Sequence, residues 1–185
     1  MWWAVFVLFV LVVLWLVRRP RTIPNIATPI HPIMRIPVPW VFVLTYLIGV
    51  GLQLLFPLTI HSAKALLISR VAGAVSTIGG VLLAFTSLRI FRVARTTTIP
   101  FETPTQLITS GAYRFTRNPM YVGLTLVYLG VAGLQGHIGP VLVLPLLLFY
   151  IHRVVIPVEE ARLRDVFGGE YEHYCTSVGR WIWTG

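Results

Sequence analysis

The sequence predicts an all-α, polytopic membrane protein of about five transmembrane helices, the last two a helical hairpin, followed by a short amphipathic C-terminal tail. Three observations carry that expectation. Of the 185 residues, 56% are apolar and only 11% charged, against roughly 45–50% and about a quarter in soluble domains. Mean hydropathy is +0.80. The apolar residues are also gathered into runs, and five helices of about 20 residues each would use nearly all of them. A disordered chain and a water-soluble enzyme of ordinary composition are thereby excluded. Cys175 is the sole cysteine, which excludes a disulfide-stapled secreted domain as well.

The first element is the apolar run Trp2–Val17, closed by Arg18-Arg19-Pro20-Arg21. A cleaved signal peptide would carry charge ahead of its apolar core and small residues at its end. This run has neither, which favours a retained helix. Its 16 residues span about 24 Å, a little less than a hydrocarbon core. Pro20, Pro24, Pro29, Pro32, Pro37 and Pro39 follow, and their missing N–H donors bar a helix. A second run covers about Val38–Leu58 and a third about Leu66–Leu88. On the third, Gly73, Ser76, Thr77, Gly79 and Gly80 predict close helix packing. A polar stretch extends from Arg89 to Pro119, and two shorter apolar segments follow at about Met120–Leu134 and Ile138–Ile156. Gly136-His137-Ile138-Gly139-Pro140 reverses the chain between them. In the tail, Leu163, Phe167, Tyr171, Tyr174, Val178 and Trp181 recur at helical steps. Gly168-Gly169 should divide that tail into two short helices.

The net charge of +9 is of a size often seen in nucleic-acid-binding proteins. Its distribution points elsewhere, because the basic residues flank the apolar runs. Lysines and arginines number 0, 4, 2, 5, 0 and 4 in successive connections. That alternation fits five spans with the N-terminus outside and the tail in the cytoplasm. Arginine outnumbers lysine fourteen to one, which suggests a GC-rich bacterial genome and hence a bacterial plasma membrane. The expected organisation is an N-terminal set of about three helices in residues 1–88 and a functional core in residues 89–185.

This topology puts the Arg89–Pro119 loop and the tail on one face, where ionisable residues at a membrane boundary are functional candidates. One constellation is Leu107-Ile-Thr-Ser-Gly-Ala-Tyr113 followed by Arg117-Asn-Pro-Met-Tyr121-Val-Gly123. Pro119 suits the first turn of a helix, whose free N–H groups attract an anion. Arg117 can clamp a carboxylate through a bidentate fork, and Tyr113 and Tyr121 offer flat faces to a purine or a cation. The plainer alternative is that these residues anchor a helix at the interface. A second constellation is Glu159-Glu160, which suits a cationic ligand, or else starts a solvated helix with Glu160 paired to Arg164. Adjacent helical residues point about 100° apart, so the two carboxylates should not share one proton or one metal. His152 and Arg153 could touch a substrate. The five histidines show no ligand spacing, and no metal site is expected. Gly-rich phosphate loops and nucleophile elbows are absent from the sequence.

The spacing Leu-x-x-x-Gly-x-Tyr-x-x-x-Arg-Asn-Pro-Met-Tyr-x-Gly over Leu107–Gly123 precedes a second block over Glu159–Arg180. That block is Glu-Glu-x-x-Leu-x-x-x-Phe-Gly-x-x-Tyr-x-x-Tyr-x-x-x-Val-x-Arg. Together they resemble the isoprenylcysteine carboxyl methyltransferase and phospholipid methyltransferase family, over roughly the C-terminal half of the chain. The resemblance implies an integral-membrane methyltransferase that uses S-adenosylmethionine and acts on a lipid-associated or small apolar acceptor. By motif position it implies cofactor contacts at Gln106, Leu107, Ile108, Tyr113, Asn118, Pro119, Met120, Tyr121 and Glu159. Arg117 and Glu160 are the catalytic candidates, and Arg153 a substrate contact. The chain departs from the isoprenylcysteine pattern at Asn118, where a His is usual, and at Val155, where an arginine precedes the glutamates. Gly179 replaces a tail proline. A non-catalytic membrane scaffold or small transporter on the same fold is the alternative.

Overall fold

The computed structural model describes residues 37–58, 60, 62–93 and 105–182. The expected first span, most of the proline-rich link and part of the following polar loop lie outside the described residues. Among the described residues every regular element is helical. In chain order they are α1 (Val38–Leu55), α2 (Ala63–Val93), a 3-10 turn (Gly111–Arg114), α3 (Pro119–Gln135), α4 (Gly139–Tyr150), a π-helical turn (Ile151–Val155), α5 (Ile156–Phe167) and α6 (Gly169–Ser177).

Proline marks where several of these begin. Pro39 lies in the first turn of α1, and Pro119 is the first residue of α3; at such positions the missing N–H has no intrahelical partner to lose. Two boundaries differ from the sequence expectation. Helix α2 continues past Leu88 to Val93, because arginine is a good helix former and the helix outlasts its apolar run. Pro157 does not end the preceding helix either, and the path from Gly139 to Phe167 is one helical stretch of 29 residues. The N–H of Ile156 donates five residues back to the carbonyl of Ile151. That wide turn gives the slack a proline ring needs in the following turn. Gly168 does break the tail where expected, at φ +50° and ψ −123° between α5 and α6.

Among the described residues, three helical stretches are long and apolar enough to cross a membrane: Val38–Leu55, Ala63–Phe91 and Gly139–Phe167. Helix α3 has 17 residues and spans about 25 Å, shorter than a typical core. Large apolar side chains on α2, among them Leu67, Val71, Val75, Ile78 and Leu82, point outward. That pattern suits lipid and not water. The protein is an integral membrane protein.

The described residues fall into two compact units, one within Met1–Thr77 and Tyr128–Leu147 and one within Ile78–Val127 and Leu148–Gly185. In the first, Tyr128 packs edge-on against Tyr46 at 5.0 Å and Phe42 at 6.4 Å. Its hydroxyl donates to the carbonyl of Pro140 at 2.9 Å. Gln53 caps α4, accepting from the N–H groups of Ile138 at 3.1 Å and Gly139 at 2.9 Å. A Cβ on Gly73 would lie 2.7 Å from the carbonyl oxygen of Gly130, so backbone meets backbone there as the small residues of α2 predict. The second unit repeats the device: a Cβ on Gly80 would lie 2.6 Å from the carbonyl oxygen of Gly123. Gly79 faces open space.

Candidate active site

All the candidate residues belong to the second unit. The approach begins with an irregular strand of chain in which Gln106 is exposed, Leu107 half-buried and Ile108 buried. The 3-10 turn then buries Tyr113, whose ring meets Phe91 edge-on at 5.5 Å. The Tyr174 hydroxyl donates to the Tyr113 carbonyl at 2.7 Å. Burial, then the Tyr174 hydroxyl, then the Glu159 carboxyl hold the Tyr113 phenol above its ordinary range, so it stays neutral.

Thr116, Arg117 and Asn118 lead into α3 and are fastened to the tail. The Arg117 N–H donates to the Gly179 carbonyl at 2.9 Å. The carbonyl of Arg180 accepts from Thr116 Oγ1 at 2.8 Å and from Asn118 Nδ2 at 3.1 Å. Thr116 Oγ1 in turn accepts the Asn118 N–H at 3.1 Å. Pro119 is fully buried and Met120 half-buried.

One helical turn on, the Tyr121 hydroxyl donates to Glu159 Oε1 at 2.6 Å. The two residues are 38 apart in sequence, one from each motif block. Glu159 and Glu160 diverge as their helical positions require. Glu160 is 3% exposed, and a carboxylate so deeply buried must be paired. Arg180 holds it through Nε at 2.8 Å and Nη2 at 2.5 Å. Arg117 Nη2 stands 3.3 Å away and Arg164 Nη2 3.9 Å away. Arg164 also pairs with Glu172 at 2.7 Å. The hydrogen bond to Glu160 raises the Arg180 guanidinium further above its usual range. The expected pairing of Glu160 with Arg164 is therefore present, but it is the weakest of three. Arg117 Nε is buried with no hydrogen-bond partner. Among the described residues it is the orphaned donor closest in sequence to the Tyr121–Glu159 pair.

Arg153 stands apart from this cluster. It is exposed, with its guanidinium 5.9 Å from the centre of the Phe149 ring. In the sequence Arg180 is one position of a motif block with nothing to mark a role, and Trp181 is one position of the amphipathic stripe. Only the fold-back of the tail brings Arg180 to Glu160 and Trp181 to His152, whose Nδ1 accepts the indole N–H at 3.2 Å.

Residues 68–170, more than half of the chain, match the phospholipid methyltransferase family. The chain belongs to that family. The matched span holds both Tyr121 and Glu159 and ends before Arg180. The chain is also similar to the protein-S-isoprenylcysteine O-methyltransferase of Schizosaccharomyces pombe, at 38% identity over 72 residues. That similarity covers 39% of this phospholipid methyltransferase family member and 30% of the yeast protein. No solved structure matches.

Proposed function

We propose that the protein is an integral-membrane S-adenosylmethionine-dependent methyltransferase acting on a lipid-associated or small apolar acceptor. The acceptor would be of the isoprenylcysteine carboxylate or phospholipid amine kind. The observation that supports this reading most strongly is the Tyr121–Glu159 hydrogen bond, which joins the two family motif blocks at 2.6 Å. The side chains present suit the cofactor: a carboxylate, two buried tyrosine rings, and the orphaned Arg117 Nε–H. When bound, S-adenosylmethionine supplies an electrophilic methyl on a positively charged sulfur.

Glu159 and the faces of Tyr113 and Tyr121 hold the cationic part of such a ligand. Gln106, Leu107, Ile108, Asn118, Pro119 and Met120 line the remainder. Arg117 offers Nε–H to a carboxylate of cofactor or acceptor. Glu160 assists as a positioning residue, since its contacts are with Arg180, Arg117 and Arg164 and not with open space. The chemical work asked of the protein is alignment and partial exclusion of water. A carboxylate acceptor is already ionised at neutral pH and needs no base, whereas an amine must lose a proton.

In this reading residues 89–185 form the methyltransferase core, with α3 and α4 as the helical hairpin. The chain spans the membrane about five times with its tail in the cytoplasm, in a bacterial plasma membrane. Calorimetry with S-adenosylhomocysteine on the detergent-purified protein is the test. The parent should bind, and Glu159→Gln and Tyr121→Ala should each weaken binding at least about tenfold, roughly one charge-assisted hydrogen bond. If both variants bind as the parent does, the site is misplaced. A parent that ignores millimolar ligand favours the scaffold or transporter.

A further inference from the structure

The second unit contains a cavity of about 460 Å³ whose lining includes none of Tyr113, Tyr121 or Glu159. Its volume lies within the ~300–1,000 Å³ of small-molecule sites. Val122, Leu126 and Phe149 give it apolar walls, and Thr125, His152 and Trp181 are its polar side chains. Two of the polar groups are already committed. The Thr125 hydroxyl donates to the Tyr121 carbonyl at 2.8 Å, and the Trp181 indole N–H donates to His152 Nδ1 at 3.2 Å.

The second contact fixes the imidazole. A nitrogen that accepts a hydrogen bond carries no proton, so the neutral ring bears its hydrogen on Nε2. Nε2 has no partner among the described residues, and it is a donor. The π-helical turn that carries His152 is a local widening of a kind that recurs at functional sites. Arg153, stacked over Phe149, adds a positive charge beside the same wall. Both groups suit an oxygen that accepts hydrogen bonds. An ammonium end would find the Thr125 hydroxyl oxygen as its side-chain acceptor, and against it an N–H and a cation.

We propose that this cavity binds the methyl acceptor, that the acceptor is an apolar chain ending in a hydrogen-bond-accepting oxygen, and that His152 selects that end. Trp181 is a positioning residue that fixes the imidazole tautomer. The inference rests on the methyltransferase reading for the fate of the ligand, though not for its binding. It is tested without a methyl donor, so the two can fail separately.

The probe is a diazirine-bearing dodecanoate, photo-crosslinked to the full chain in phosphatidylcholine nanodiscs and mapped by peptide sequencing. Labelling should fall on residues 122–126 and 148–152. Unlabelled dodecanoate should compete about tenfold better than dodecylamine, the factor one ordinary hydrogen bond supplies. His152→Phe keeps a ring but loses the donor, and should remove that preference. His152→Gln restores an N–H at a similar reach and should regain it. Trp181→Phe frees the tautomer and should reduce the preference while labelling persists. Labelling elsewhere, equal competition by the two amphiphiles, or an unchanged preference in His152→Phe would each overturn the proposal.

Discussion

At the scale of single residues, the two neighbouring glutamates have opposite fates. Glu159 keeps one tyrosine as its partner, whereas Glu160 is enclosed by arginines from three places in the chain. A buried carboxylate surrounded in this way is costly to strip of a partner. Arg180→Ala should therefore lower stability by about 1–2 kcal/mol, less than a fully buried pair because Arg180 is 30% exposed and Arg117 remains. Arg180→Lys should recover only part of the loss, since an ammonium cannot reproduce the two-pronged contact. Thermal unfolding in detergent reads both effects, and a parent-like midpoint for Arg180→Ala would show that the ion-pair cluster contributes nothing. Little of this was legible in the sequence. Arg180 lies 20 positions from Glu160, and no local periodicity relates them. The Tyr121–Glu159 meeting was legible only because each residue sits in a motif block.

At the scale of elements, the short-range rules held where one residue type dominates and failed where composition changes. Gly168 takes a backbone conformation that a side chain resists, at φ +50°. The tail break was therefore readable from the glycine pair alone. Gly168→Ala should cost about 1–3 kcal/mol. Gly169→Ala, inside α6 with nothing within 4 Å of a new Cβ, should be neutral or slightly stabilising. Equal effects on the unfolding midpoint would show that Gly168 is not conformationally required. The joining of α4 to α5 was not readable. An apolar run ends near Ile156 and a proline follows, which marks a stop by every local criterion. The chain instead absorbs Pro157 behind a wide turn, and a polar helix prolongs an apolar one. The glycines of α2 were readable as packing sites, although the sequence does not distinguish Gly80, which meets Gly123, from Gly79, which meets nothing.

At the scale of the whole molecule, composition alone pointed to the bilayer, and among the described residues three helical stretches have the length and hydropathy to cross it. Membranes washed with alkaline carbonate should retain the full chain in the pellet, because apolar burial of this extent is not reversed by pH or salt. Release into the supernatant would contradict an integral placement. The number of crossings was less legible than their existence, since α3 stops at 17 residues and length was the criterion.

The five-residue turn at Ile151–Val155 has a further consequence. An extra residue housed in one wide loop of helix leaves the orientation of everything downstream unchanged. Trimming that loop by one position would straighten it and still present Glu159 and Glu160 to their current neighbours, whereas the same deletion inside α5 would swing them about 100°. The side chains of the turn itself, His152 among them, would be re-aimed. The helix thus tolerates insertion or loss at one point, while Glu159 and Glu160 beyond it stay in phase with the rest of the chain.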